Sequence, residues 1–139
     1  AKLRDDYKTA DWKYPAWGGK GSCWVEAPWS LRKVYIVDMV PKRADHPVGH
    51  RTLYFDAESF HGTLSEVYDR KGEFWKLWIL GIGHSSGQLP AAAKKGRWTW
   101  DSASAIDVQA SQCTTLNFRV SLDPIPVSVY TIEYIRSRQ

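Results

Sequence analysis

Four consecutive segments in the middle of the chain are rich in apolar and aromatic residues, and each segment is followed by a polar turn signal. The segments are 31–39, 51–59, 63–68 and 73–80, and they are rich in Val, Ile, Tyr, Phe and Trp. Runs of such residues that end in turns are typical of β-strands. The sequence 69–72, Asp-Arg-Lys-Gly, suits a type I turn, because Asp accepts backbone hydrogen bonds and Gly tolerates positive φ. The pattern predicts an antiparallel meander.

Each predicted strand has two faces, and one set of apolar side chains is a candidate ligand surface. In the fourth segment Trp75, Leu77 and Ile79 form a wholly apolar face, whereas Lys76 interrupts the other one. An uninterrupted apolar face meets either a core or a hydrophobic ligand, and the sequence leaves both open. We expect a ligand to lie against one face that carries Tyr35, Val37, Leu53, Phe55, Trp75, Leu77 and Ile79.

The second half of the chain predicts a long connection and further strands. Residues 81–97 contain four Gly and one Pro and predict a linker, within which Leu89 to Lys95 could form one helical turn, so that a loop or short helix acts as a lid. Residues 98–100 and 105–118 predict strand. The segment after Pro126 predicts either a short helix capped by Thr131 or a continued strand.

Residues 1–30 form an aromatic lead-in, rich in Gly and Pro, to a predicted β domain over residues 31–139. The lead-in holds Trp12, Trp17, Trp24 and Trp29 within eighteen residues. Its Gly and Pro content excludes a helix or a central strand. Two interpretations remain, a lid that lays aromatic rings across the sheet and a wall of a ligand pocket.

Composition narrows the function classes. Lys and Arg exceed Asp and Glu by four and are spread along the chain, which argues against a nucleic-acid surface. No apolar run approaches the roughly 20 residues of a membrane-spanning helix. Cys23 and Cys113 have neither the partners nor the spacing of a metal site, so they form either a disulfide, which requires an oxidising compartment, or two buried thiols.

Catalytic motifs are absent from the sequence. It contains no Gly-x-Ser-x-Gly elbow, no His-Glu-x-x-His and no phosphate-binding or dinucleotide-binding Gly-rich loop. Asp56 and Asp69 occupy turn positions, where Asp is favoured for backbone bonding alone, and Gly72 completes the second turn. We therefore predict no enzymatic activity, no catalytic residue, no metal and no cofactor.

The strand and turn segments resemble, in order, a known bacterial family. The resemblance is carried by residues 31–37, 46–47, 51–59 and 68–76, which read LRKVYIV, HP, RTLYFDAES and YDRKGEFWK. These segments resemble the C-terminal portion of the bacterial domain of unknown function 1329. Its members are secreted to the periplasm and are described as similar to outer-membrane lipoprotein-sorting proteins.

The resemblance implies a mainly β fold with a curved antiparallel sheet, an unclosed barrel like that of LolA and LolB, whose concave side holds a hydrophobic guest. Chains of the family are about three times as long, which implies that residues 31–139 are the C-terminal part of a larger half-barrel. An unpaired sheet edge would then be covered by a partner fragment or a second copy.

Pattern and resemblance together predict a non-enzymatic carrier of a lipid or other hydrophobic ligand in the Gram-negative periplasm, associated with the outer membrane. The alternative is an interaction module, an accessory subunit of an envelope transport complex that docks by its sheet edge. The expected partners are a hydrophobic small molecule or lipid, the rest of a larger chain or an envelope transporter, and no nucleic acid.

Overall fold

Most of the described chain lies in one antiparallel sheet. The computed structural model describes residues 15–84, 97–118 and 126–137. A short hairpin of β1 (Ala16–Gly18) and β2 (Trp24–Glu26) comes first. The six strands of the main sheet follow: β3 (Val34–Met39), β4 (Val48–Asp56), β5 (Gly62–Asp69), β6 (Phe74–His84), β7 (Trp98–Asp107) and β8 (Gln112–Asn117). Each strand pairs with the next one along the chain.

The architecture confirms the predicted fold class. The chain is mainly β, and its main sheet is antiparallel and unclosed, with β3 and β8 at the two edges. Four register shifts interrupt the ladders, two in the β4–β5 pairing and one each in β5–β6 and β6–β7. Bulges bend strands and increase their twist, so these shifts curve the sheet.

Two predicted boundaries are wrong. The predicted linker begins too early, because residues 81–84 continue β6 and pair with the start of β7. Glycine weakens a strand on propensity alone, but here the β7 backbone supplies partners for Gly81 and Gly83. The predicted strand 105–118 is two strands, β7 and β8, joined by a turn over residues 108–111. The proposed helical turn at 89–95 lies outside the described residues, as does Trp12.

Aspartates organise the connections between the strands. The Asp69 carboxylate accepts hydrogen bonds from the backbone N–H groups of Lys71 and Glu73, at 2.9 and 3.0 Å. Gly72 completes this turn with φ of 82°, a backbone conformation that other residues rarely adopt. In the β4–β5 connection, Asp56 accepts from the backbone N–H groups of Glu58 and Ser59.

The N-terminal hairpin is fixed to the far side of the sheet. A disulfide joins Cys23 to Cys113 of β8, and their Cα atoms are 5.9 Å apart. The Ser104 hydroxyl of β7 donates to the Cys23 carbonyl at 2.6 Å. Trp17 Nε1 donates to Asn117 Oδ1 at 3.1 Å. Three separate contacts therefore hold the hairpin over β7 and β8.

The described C-terminal segment is helical. A 3₁₀ turn at Val127–Tyr130 precedes α1 (Ile132–Arg136). The Thr131 side chain accepts a hydrogen bond from the Tyr134 N–H, which is the N-cap arrangement that the sequence suggested as one of two alternatives. The strand alternative for Val127–Tyr130 is therefore wrong.

Candidate ligand-binding surfaces

Strand register assigns each side chain of the main sheet to one of two faces, because directly paired residues share a face. Tyr35 pairs with Phe55, and Val37 pairs with Leu53. Leu53 pairs with Ser65, and Ser65 pairs with Trp78. Further along, Leu80, Ala103 and Leu116 pair in turn. We call this side the apolar face; its large apolar members are Tyr35, Val37, Met39, Leu53, Phe55, Trp78, Leu80 and Leu116.

The ligand face predicted from the sequence is wrong in its composition. Tyr35, Val37, Leu53 and Phe55 do share the apolar face. Leu77 and Ile79 lie on the opposite face, because Leu77 pairs with Glu66 and Ile79 pairs with Leu64. Trp75 has no direct partner in β5, because a register shift lies beside it, and its ring contacts Lys76 and Asp107. The seven side chains therefore cannot line one continuous surface.

The β6 residues on the apolar face were missed by sequence reasoning. Trp78 and Leu80 share the parity of Lys76, and the charge made that set look like the solvent side. In the structure Lys76 is neutralised by Asp107, with Nζ 3.3 Å from Oδ2. The acid at position 107, directly before the observed turn between β7 and β8, was the available signal, but its use requires the register of β6 against β7.

A glycine keeps the apolar face continuous across β5. Phe55 pairs with Gly62 rather than with a side-chain-bearing residue. A Cβ built on Gly62 would lie 3.7 Å from Phe55 Cε1 and 3.8 Å from Leu80 Cδ1. Phe55 of β4 and Leu80 of β6 therefore approach each other over the glycine, and the apolar surface runs from β3 to β8.

Much of this face is open to solvent within the described residues. Tyr35 is 53% exposed, Val37 42%, Trp78 37% and Leu116 41%. Smaller neighbours are buried between them: Val67, Ala103 and Ser65 are each at most 5% exposed. The hydroxyl of Ser65 has no hydrogen-bond partner, which is costly for a buried polar group. The face thus combines exposed large apolar side chains with smaller side chains that are buried between them.

The opposite face, which we call the hairpin face, packs against the N-terminal hairpin. Ile79 is 3% exposed, and Ser104 and Cys113 of this face contact Cys23. Beside them, Glu66 Oε2 accepts from the hydroxyl groups of Tyr54 and Tyr68 at 3.2 and 3.3 Å. Burial first, and the Glu66 carboxylate second, raise the pKa of both phenols, which stay protonated donors. Hydrogen bonds and core packing occupy much of this face.

A cleft of about 370 Å³ opens between the segment that follows the hairpin and one end of the sheet. Trp29, Pro28 and Val25 line one side, and Ile82 and Trp98 line the other. Thus Trp29 lines a pocket while Trp17 takes part in the hairpin contacts, so the two interpretations of the N-terminal tryptophans apply to different residues.

An ion-pair cluster closes one end of this cleft. Arg32 Nε lies 2.7 Å from Asp56 Oδ2, and the same guanidinium bonds Glu58. The Arg32 hydrogen bond, helped by the Ser59 backbone N–H, holds the pKa of Asp56 well below its usual range. Asp56 thereby ties residue 32, just before β3, to the β4–β5 connection.

The four histidines all lie within the described residues and have structural contacts, including His84, which packs edge-on against Trp98. His46 Nδ1 accepts from the Val48 N–H, and His50 stacks on Tyr68 with ring centres 4.3 Å apart. His61 packs edge-on against Trp100. Within residues 15–84, 97–118 and 126–137, no three His, Cys, Asp or Glu side chains cluster as metal ligands. No helix in these ranges is long and apolar enough to cross a membrane.

Together these features define a mainly β protein built on an open antiparallel sheet with one exposed apolar face. The chain belongs to the family described as Protein of unknown function (DUF1329), whose model matches residues 5–131. This confirms the family resemblance seen in the strand and turn segments.

Among solved structures, the chain is similar to a domain from Vibrio parahaemolyticus that is named for outer membrane lipoprotein sorting. The two are 17% identical, with a TM-score of 0.49. The similarity covers 62% of this chain and 34% of the other, so it spans about a third of the length of that domain. No curated protein sequence matches the chain significantly.

Proposed function

We propose that the protein binds a lipid or another hydrophobic ligand on its apolar face and acts as a non-enzymatic carrier. The observation that carries this proposal is the continuity of large apolar side chains from β3 to β8, with Tyr35, Val37, Trp78 and Leu116 exposed. Large contiguous apolar patches are rare on protein surfaces unless they bind something. A ligand that covers this face would remove the patch from water.

The cellular location is part of the same proposal. The Cys23–Cys113 disulfide suits an oxidising compartment, since disulfides persist in the bacterial periplasm and are rare in the cytosol. A carrier of hydrophobic ligands in the periplasm, at or near the outer membrane, is the role that the sequence resemblance implies. The proposal therefore places the protein in the Gram-negative envelope.

Two neighbouring residues of β6 provide the test. Trp78 lies on the apolar face and Leu77 on the hairpin face. We expect Trp78→Ala to weaken binding of the neutral fluorescent probe N-phenylnaphthylamine by about tenfold, because an anchoring indole is lost from the binding surface. Leu77→Ala removes a half-buried side chain from the other face and should lower stability while leaving the affinity unchanged.

Affinities are measured by fluorescence titration of delipidated protein, with circular dichroism to verify folding of each variant. Absence of probe binding to the wild-type protein contradicts the proposal. Equal losses in Trp78→Ala and Leu77→Ala contradict the assignment to the apolar face.

A second candidate function is docking by β3, favoured by the exposure of this edge strand on both sides. Ile36 is 62% exposed on the hairpin face, and Tyr35 and Met39 are about half exposed on the apolar face. Unpaired edges accept an additional strand from a partner. As an accessory subunit of an envelope transport complex, the protein would use this edge.

A charge on the edge tests the docking function. Ile36→Lys should release the protein from a large complex on native gels of envelope extracts, because lysine on an edge strand opposes pairing. Glu133→Gln, a change in α1, is the control. Migration of the wild-type protein as a monomer in those extracts excludes the docking function.

A further inference from the structure

The apolar face ends in a basic depression at the corner between β3 and β4. The depression has a volume of about 440 Å³ and lies beside the connection between the two strands. Met39 and Pro41 supply apolar walls, and the cationic side chains in its lining are Lys42, Arg43 and Arg51. Lining carboxylates are absent from this part of the described structure.

Register makes the depression continuous with the apolar face. Met39 and Arg51 are directly paired across β3 and β4, two residues along from the Val37–Leu53 pair. All four side chains therefore project to the same side of the sheet. A molecule lying along Val37 and Leu53 reaches the depression within one further pair, a step of about 7 Å.

The three cations differ in how far they are already neutralised. Arg43 is held by Asp45, to which it donates through both Nε and Nη2. Along the same cross-strand row as Arg51, Lys76 is paired with Asp107. Arg51, by contrast, makes no ion pair within residues 15–84, 97–118 and 126–137, and the same holds for Lys42. Arg51 is therefore a half-buried cation of the depression without a carboxylate partner among the described residues.

We infer that the ligand of the apolar face is an anionic amphiphile whose headgroup occupies this depression. The apolar tail lies along Val37, Leu53 and Trp78, and the carboxylate or phosphate of the headgroup pairs with Arg51, assisted by Lys42. The planar guanidinium donates two parallel hydrogen bonds to either group, which favours an anionic over a neutral or cationic headgroup. This inference rests on the proposed function and adds the charge class of the ligand.

Three ligands with the same tail isolate the effect of the headgroup. Laurate and dodecyltrimethylammonium are used below their micelle concentrations, and dodecanol below its solubility limit, to displace N-phenylnaphthylamine from the protein at pH 7. We expect laurate to displace the probe at about tenfold lower concentration than dodecanol, because the charge-assisted bonds to Arg51 add to the tail contact. Dodecyltrimethylammonium should be the weakest, since Arg51 and Lys42 repel it.

Arg51→Gln removes the charge and keeps most of the side-chain length. It should abolish the preference for laurate over dodecanol while the affinity for the neutral probe stays within about twofold, since the tail surface is unchanged. Arg136→Gln, the same substitution at the end of α1, should keep the wild-type order of ligands. Dodecyl phosphate should behave as laurate, whereas inorganic phosphate alone should fail to displace the probe at millimolar concentration.

The outcomes separate this inference from the proposed function. If the probe binds in a Trp78-dependent manner but the three ligands compete equally, the headgroup site is excluded and the hydrophobic carrier stands. The same conclusion follows if Arg51→Gln preserves the laurate preference. If the probe itself does not bind, the proposed function fails, and the inference fails with it.

Discussion

Two buried serines on opposite faces of the sheet show that similar burial has different energetic consequences. Ser65 is 5% exposed and Ser104 is 2% exposed. Ser104 donates to the Cys23 carbonyl, whereas the Ser65 hydroxyl has no partner among residues 15–84, 97–118 and 126–137. An unpaired buried hydroxyl costs free energy, while a paired one stabilises modestly. Ser65, which pairs with the exposed Trp78, therefore carries a buried hydroxyl that adds no hydrogen bond among the described residues.

Alanine at each serine should separate the two cases. We expect Ser65→Ala to leave the free energy of unfolding unchanged or to raise it by up to about 1 kcal/mol, because no hydrogen bond is lost. Ser104→Ala should lower it by about 1 to 2 kcal/mol, since the Cys23 carbonyl loses its donor. Urea unfolding followed by tryptophan fluorescence measures both values. A larger loss in Ser65→Ala than in Ser104→Ala would contradict the hydrogen-bond assignment.

At the scale of elements, the N-terminal hairpin stabilises the sheet without covering the apolar face. It is fixed through Cys113, Ser104 and Asn117, all of which lie on the hairpin face. The covalent link closes a loop with a sequence separation of 90 residues. The contacts of the hairpin and the proposed ligand surface therefore lie on different sides of one sheet.

The double variant Cys23→Ser, Cys113→Ser tests this division. It should lower the free energy of unfolding by up to roughly 4 kcal/mol, because the unfolded chain regains the freedom that the cross-link removes. Binding of N-phenylnaphthylamine to the folded protein should be unchanged, since the apolar face is intact. Wild-type protein in reductant should match the variant in urea unfolding. A reductant-insensitive midpoint would show that the disulfide contributes nothing to stability.

Strand positions were predictable from the sequence, whereas the faces were not. Runs of strand-forming residues and turn residues such as Asp69 and Gly72 are local signals, and they located the four central strands within a few residues. Which face of β6 continues which face of β4 depends on pairing register. A one-residue shift of the register moves every side chain to the other face, and bulges alter the local count.

Local composition also led to a wrong prediction at two places in β6. Lys76 made the apolar side of β6 look solvated, because its partner Asp107 lies on the neighbouring strand but 31 residues further along the chain. Gly81 and Gly83 made the end of β6 look like a linker. Their lack of side chains leaves room for Asp101, whose Oδ2 would be 2.6 Å from a Cβ on Gly83. Both features depend on residues of β7, so the sequence around β6 can be interpreted correctly only when the β6–β7 register is known.

Across the whole molecule, aspartates at strand ends tie the turns to each other and to the sheet. Asp56, Asp69 and Asp107 end β4, β5 and β7, and each accepts backbone N–H groups of the connection that follows. Asp69 also accepts from the Gln109 side chain at 3.2 Å, which links the β5–β6 turn to the β7–β8 turn. Asp107 binds Trp75 and Lys76 of the neighbouring strand. The hydrogen-bonded form of each group is the ionised one.

These contacts make the stability of the sheet depend on pH in one direction. The pKa of Asp107 is lowered mainly by the Ala110 N–H and then by Lys76, and that of Asp69 mainly by the Glu73 N–H. The Arg32 guanidinium lowers the pKa of Asp56 most strongly. Near pH 4 the unfolded chain therefore binds more protons than the folded one, so that stability increases with pH. The contribution is complete above about pH 5 and is lost as the pH falls below the ordinary value of 3.8 towards the lowered folded-state values.

Urea midpoints between pH 7 and pH 2.5 measure this dependence, and Asp107→Asn tests its origin. The variant should be less stable than wild type at pH 7, because the amide lacks the charge that Lys76 pairs with. Its midpoint should fall less steeply below pH 5, since one of the titrating groups is gone. The two curves should converge at the acid end, where the wild-type Asp107 is itself becoming protonated and neutral like the amide. Parallel curves over the whole range would mean that Asp107 has the same pKa in the folded and unfolded chains, and Asp107 would then not contribute to the acid sensitivity of the sheet.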